Sequence, residues 1–249
     1  MLGLDDAIAG LGDGGAVVIA LLVAVLLGLR HATDPDHLTA VSSLILTSTR
    51  GGSRRAAVLG AAWGLGHAVT LTALGLPVVL WGDALPAAVQ RAAEVAVGVL
   101  IVVLAARLLL RWRRGYFHVH PHRHGDVVHV HPHAHRHGLP HHHHGAHEHA
   151  HAEALGRTPL AALGIGLVHG VGGSAGAGIL LVGTIGDGGV AALALALFAA
   201  ATAAAMAGAT LAFGHLLSRQ PVAVRMGEAV PVLGVLGMLL GLWYALGSL

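Results

Sequence analysis

Eight residues interrupt an otherwise apolar stretch near the amino terminus: Arg30-His31-Ala32-Thr33-Asp34-Pro35-Asp36-His37. The apolar run before them, Ala16 to Leu29, holds 14 residues. As helix that is about 21 Å, short of the roughly 30 Å hydrocarbon core of a bilayer. Charge therefore begins before a membrane has been crossed. The chain turns apolar again from Leu38 to Leu46, so the segment is too long for one straight span and too polar for a plain one. A helix broken at the polar residues satisfies both conditions. Pro35 supplies the cause of the break, because it lacks an N–H and clashes with the preceding turn.

Ionisable side chains at membrane depth cost roughly 2.5–3.5 kcal/mol each on insertion scales, so they are expected to face a partner or a wet cavity. Two imidazoles and two carboxylates make a partner set for a divalent cation. On a continuous helix His31, Asp34 and His37 recur every three residues and share a face, while Asp36 points elsewhere unless Pro35 re-aims it. Imidazole nitrogen with carboxylate oxygen suits borderline first-row metals, and a chain without Cys has no thiolate site for copper(I). The competing reading is a structural ion pair of Arg30, Asp34 and Asp36 with interfacial histidines.

With 55% hydrophobic and 10% charged residues in 249, the chain is expected to be an all-α integral membrane protein. Six apolar segments can be marked, at about 14–46 with the break, 56–81, 92–110, 159–183, 188–217 and 229–247. All 14 basic residues are Arg. Arg50, Arg54 and Arg55, Arg107 to Arg114, Arg157, Arg219 and Arg225 fall on one side of a six-span threading, which the positive-inside rule makes cytoplasmic. Asp5, Asp6, Asp13, Asp83 and Asp187 fall on the other, with Arg91 the exception. Both termini are then expected outside a bacterial cell (inner) membrane. The acidic amino terminus lacks a basic n-region, so the first run reads as a retained helix and not a cleaved signal. This distribution of Arg describes topology and not a nucleic-acid partner.

Single histidines lie in the second segment (His67, in Gly66-His67-Ala68) and in the fourth (His169, in Gly166-Leu167-Val168-His169-Gly170). Each is ten or eleven residues from the cytoplasmic end, about 15 Å of helix, so equal depth is expected. A lone His in an apolar helix is commonly a packing residue; two at matched depth beside a His/Asp motif point to ligand or pathway roles. His215 keeps the packing reading. The glycines from Gly170 to Gly178, with Ser174, are expected to unwind the fourth helix and expose carbonyls to a cation. Between the third and fourth spans, His118 to His151 holds 16 of the 21 histidines in 34 residues. Histidine alternating with Pro, Gly and Ala builds no core, so a disordered loop is expected. Such imidazoles bind zinc, nickel, cobalt or copper(II). The chain then divides into a three-helix half at 1–114, a His-rich cytoplasmic loop at 115–158 and a second three-helix half at 159–249. Three spans on each side would run in opposite directions, as a 3+3 inverted repeat requires.

Arg30-His31-Ala32-Thr33-Asp34-Pro35-Asp36-His37-Leu38 resembles the RHAxDADHI, or H-x4-D-H, signature of the nickel/cobalt transporter (NiCoT) family, with Pro35 where Ala is usual. Gly66-His67-Ala68 is similar to that family's F-x-x-G-H-S-S motif. The span count and His-rich loop extend the likeness to the nickel/cobalt efflux and urease-associated membrane branches. The resemblance implies that His31, Asp36 and His37 are essential for metal movement, with His67 next. Two motifs depart: no LGx[DE]TATE segment is present, and the GMxxxD motif has Gly237 and Met238 but Leu242 in place of the Asp.

The expectation is a secondary transporter for divalent nickel or cobalt, with His31, Asp34, Asp36, His37, His67 and His169 as metal ligands, Arg30 balancing charge, and export favoured by the loop. The metal is cargo, so no cofactor is expected and the chain is not read as an enzyme. It lacks a G-x-x-x-x-G-K-[ST] stretch and any Lys, so no ATP-binding signature is present. Partners are the ion and the lipid bilayer, and a homo-oligomer is left open. Three rivals are an uptake permease, a metal store or accessory to urease or hydrogenase maturation, and a membrane di-iron hydroxylase, whose His boxes are spaced differently.

Overall fold

The computed structural model describes residues 4–46, 52–82, 86–114, 118–124, 127–133, 158–170, 172, 175–217 and 220–247. In chain order these form α1 (Leu4–His31), α2 (Pro35–Leu46), α3 (Gly52–Trp81), α4 (Ala87–Arg113), β1 (His118–His124), β2 (Val127–His133), α5 (Pro159–His169), α6 (Ala175–Gly183), α7 (Gly188–Leu217) and α8 (Gln220–Gly247). Five helices are long and apolar enough to cross a membrane: Gly14–His31 of α1, Ser53–Trp81 of α3, α4, α7 and Glu228–Gly247 of α8. The short α5 and α6, of 11 and 9 residues, follow one another and in series reach about 30 Å, the length of one crossing. The chain is an all-α, multi-pass membrane protein.

Its surface is the inverse of a water-soluble one. Ile19, Leu22 and Leu26 of α1 and Leu236 and Leu239 of α8 face outward, while His31, Asp36, His37, His67 and His169 are buried. Aliphatic side chains lose nothing facing lipid, whereas imidazole and carboxylate there would be unsolvated. The helices close on small residues. Gly60, Gly64 and Ala56 of α3 abut Thr210, Ala203 and Gly214 of α7, and Gly98, Ala105 and Leu109 of α4 abut Gly241, Gly237 and Gly234 of α8. Rising numbers meet falling numbers in each set, so both pairs are antiparallel and packed through small-residue stripes.

The pairing reads the same from either half. The second long helix of each half packs on the other (α3 with α7), the third on the third (α4 with α8), and each first helix packs on the second helix of the opposite half (α1 on α7, α5 on α3). Two large apolar clusters result, beside a small one of Leu46, Leu108 and Val230. One gathers α1, α3, α6 and α7 around Leu71, Leu195 and Phe198. The other joins α2, α3, α4, α5 and α7 around Leu59, Trp63 and Met206.

The expected disorder of the His-rich loop is corrected for part of its length. His118–His124 and Val127–His133 form an antiparallel hairpin that pairs His118 with His133, His120 with His131 and His122 with His129. The physical reason lies in the sequence. Alternation with period two is the strand period, and the residues between the strands, Gly125 and Asp126, are those a two-residue hairpin connection favours. The remainder of the tract, 134–151, lies outside the described residues.

Candidate metal centre

The first helix stops where the sequence turns polar. Ala32 N–H still bonds Gly28 O at 3.2 Å, but Thr33 and Asp34 make tighter three-residue bonds, to Arg30 O at 2.9 Å and His31 O at 3.1 Å. Pro35 then opens α2, where its missing N–H has no intrahelical use, and Leu38 N–H returns to Asp34 O at 3.0 Å. His31 thus ends α1, and Asp36 and His37 occupy the first turn of α2. α5 starts on a Thr158 cap, whose Oγ accepts Ala161 N–H at 3.1 Å with Pro159 following, and it ends on His169. His67 comes from the middle of α3.

These five side chains meet. Ring centroids of His37 lie 4.6 Å from His31, 5.0 Å from His67 and 4.4 Å from His169, and those of His67 and His169 are 5.9 Å apart. The matched depth of His67 and His169 is therefore observed. Two groups of three place one ligand atom from each member within 4.8 Å of the others: His31, His37 and His67, and Asp36, His37 and His169. His37 belongs to both.

Hydrogen bonds assign the imidazole tautomers. Asp36 is 3% exposed, and its two oxygens accept from His37 Nδ1 and His169 Nε2, each at 3.2 Å. His31 Nδ1 donates to Asp34 Oδ2 at 3.2 Å, so its Nε2 carries a lone pair that accepts His67 Nε2–H at 3.1 Å. The nitrogens left over, His37 Nε2, His67 Nδ1 and His169 Nδ1, are buried and have no hydrogen-bond partner. With the rings neutral, the Asp36 bonds leave His37 Nε2 and His169 Nδ1, and the His31 bond leaves His67 Nδ1, as lone pairs facing no donor. Buried acceptors in that state are costly in an apolar protein and are the form in which imidazole binds a metal. A carboxylate holding the far N–H of a ligating His is also the usual way such rings are oriented.

Aromatic rings back both ends of the cluster. His31 lies 5.7 Å from Phe198, and His169 lies 5.8 Å from Trp63. The backbone beneath them repeats the relation. A Cβ at Gly28 would strike Phe198 O and Thr202 N, and a Cβ at Gly166 would strike Trp63 O and His67 N. Each His stands three residues after its glycine, in Gly28-Leu29-Arg30-His31 and Gly166-Leu167-Val168-His169. His31 and His169, Phe198 and Trp63, and Thr202 and His67 are thus positional counterparts. The carbonyl ends of α1 and α5 both point at the cluster, bringing partial negative charge to it.

Asp34 is the member that moves to the rim. Its side chain is 13% exposed and pairs with Arg30 at 3.7 Å, while Arg30 itself is 72% exposed. The expected common face of His31, Asp34 and His37 is corrected: the break resets the helical phase, so Asp36 turns inward and Asp34 stays at the edge. α5 ends at His169 and α6 begins at Ala175, so the expected interruption of the fourth span is present but shorter than expected: Gly176 and Gly178 are helical, and Val171, Gly173 and Ser174 lie outside the described residues. His215 is exposed and belongs to neither group. Trp63, Phe198, Gly28 and Thr202 carry no signal of their own in an apolar helix. The repeated Gly-Leu-Xaa-His is the signal that could have found them.

Among known proteins, the chain is similar to the urease accessory protein UreH of Bacillus sp. (strain TB-90), at 29% identity over 98 residues. The match covers 39% of this chain and 42% of that relative, so it spans less than half the length of either. No protein-family model matches the chain. No solved structure matches it.

Proposed function

We propose that the protein is a membrane transporter of divalent nickel or cobalt, which binds the ion among His31, Asp36, His37, His67 and His169, with Asp34 and Arg30 at the rim. The observation that carries this reading is the set of three buried imidazole lone pairs without a donor, beside one carboxylate. A structural histidine cluster would satisfy those atoms; a cation does so. Nitrogen-rich coordination with one oxygen and no sulfur favours nickel, cobalt, zinc or copper(II) over magnesium or calcium. The converging carbonyl ends of α1 and α5 favour positive charge, and helices broken at membrane depth are where ion sites of secondary transporters are built. The resemblance of the H-x4-D-H stretch to nickel/cobalt transporters supports those two metals among them.

The arginine distribution supports a cytoplasmic His-rich loop, which would gather ion for export. A second reading, uptake in support of urease, is favoured by the relative's description as a urease accessory protein. Labelled nickel and cobalt flux into inside-out and right-side-out vesicles, with wild type beside His37→Ala, tests both. Accumulation confined to inside-out vesicles and lost in the variant is the export outcome; accumulation confined to right-side-out vesicles is the uptake outcome. Flux in neither, or flux indifferent to His37→Ala, overturns transport through this site.

A further inference from the structure

The two groups of three share His37, and this chain's hydrogen bonds leave His37 a single unengaged nitrogen, Nε2. One lone pair serves one ion at a time. We propose that the two groups are successive stations for a single ion, passed across His37 between the end of α1 and the end of α5. The inference rests on the transport reading and adds a path to it.

The geometry around His37 is two-sided. His31 and His169 are its neighbours at 4.6 and 4.4 Å. They close the ends of α1 and α5, the first helices of the two halves, and each rests against an aromatic ring of the opposite half's second helix. His31 and His169 are counterparts in the two halves, and His37 neighbours both. Alternate crossings run in opposite directions, so α1 and α5 approach this point from opposite faces of the membrane. An ion held by His31, His37 and His67 therefore sits at the end of one approach, and an ion held by His37 and His169, with Asp36 behind both rings, at the end of the other.

The stations differ in chemistry, three imidazoles against two imidazoles whose far N–H groups are held by one carboxylate. Ligand atoms up to 4.8 Å apart are farther apart than the about 3 Å expected between neighbouring ligands at metal–nitrogen distances of about 2.0–2.1 Å. Where a pair exceeds that spacing its group contracts on binding, and because His37 is common, contraction of one group draws it away from the other. The shared ring is the element that makes occupancy of the two stations exclusive.

The test uses the full-length protein in lipid nanodiscs with Co2+ as the probe, read by equilibrium dialysis and visible ligand-field absorption. Binding to the His-rich loop is removed by subtracting the His37→Gln chain, which retains every loop histidine. The expected wild-type difference is one ion per chain. His67→Gln and His169→Gln are each expected to keep that one ion, with different absorption spectra, and both to lose nickel flux in vesicles. His67→Asn and His169→Asn provide the same comparison should either Gln variant fail to elute as a monodisperse species. A difference of two ions per chain overturns the proposal in favour of independent sites. Loss of the ion in both single variants, with monodisperse protein, overturns it in favour of one composite site. In either case the transport reading stands. Wild type and His37→Gln binding the same amount of cobalt removes the transport reading itself.

Discussion

The break between α1 and α2 and the break between α5 and α6 occupy counterpart positions and are built from opposite materials. The first is made of Asp34, Pro35, Asp36 and His37; the second is the glycine-rich run after His169. Both end a helix on His, three residues after a glycine pressed against the opposite half. Beyond that point only the first supplies charge. Asp36 reaches from the first break to the last residue before the second, accepting from His169 Nε2 at 3.2 Å. The architecture is shared between the halves while the ligand chemistry is concentrated in one, so a symmetric scaffold holds an asymmetric site.

The sharpest way to break this comparison is at Asp36, the single atom group that ties the breaks together. Asp36→Asn keeps the shape but loses one of two N–H acceptors, and removing such a partner typically lowers metal affinity about 10–100-fold. Equilibrium dialysis of nickel against the variant measures it; unchanged affinity would mean the carboxylate does not organise His37 and His169. A smaller effect is expected from the scaffold. Gly28→Ala and Gly166→Ala each force a methyl into facing backbone and are expected to destabilise by about 1–3 kcal/mol, and by similar amounts. Gly164→Ala, where nothing lies within 4 Å, is expected to leave thermal unfolding in detergent unchanged. Unequal losses at Gly28 and Gly166 would show that the halves are not packed alike. The smallest effect belongs to the rim. Asp34→Asn removes a pair with an exposed Arg30, worth roughly 0–1 kcal/mol, while the amide oxygen can still accept from His31 Nδ1, so metal affinity is expected to fall by no more than a few-fold. A loss matching that of Asp36→Asn would place Asp34 inside the site.

Much of this arrangement was written in the apolar pattern. The interrupted run at Arg30–His37 marked a broken helix, and the equal depth of His67 and His169 followed from counting residues between the arginine-rich ends and each His. Helical periodicity alone did not choose between Asp34 and Asp36, because it runs through a break that restarts it; the H-x4-D-H resemblance pointed to Asp36. Trp63 and Phe198 were hidden for a different reason. A large aromatic ring in an apolar span packs equally well against Leu or against imidazole, and only the neighbour distinguishes the two. The hairpin at His118–His133 was obscured by composition. Low complexity argued for disorder while the two-residue alternation, present in the same letters, carried the strand.

Asp36 is the one buried carboxylate among the described residues, and Asp34 at the rim is balanced by Arg30. With neutral imidazoles the empty site then carries one negative charge, and a divalent ion makes it one positive. Membrane voltage, worth about 2.3 kcal/mol per elementary charge per 100 mV, would pull the loaded and empty forms in opposite directions with equal strength. A carrier built on this site would have both legs of its cycle driven by the electrical potential. Its rate would rise on polarising the membrane in one sense and fall in the other, with neither leg electrically silent.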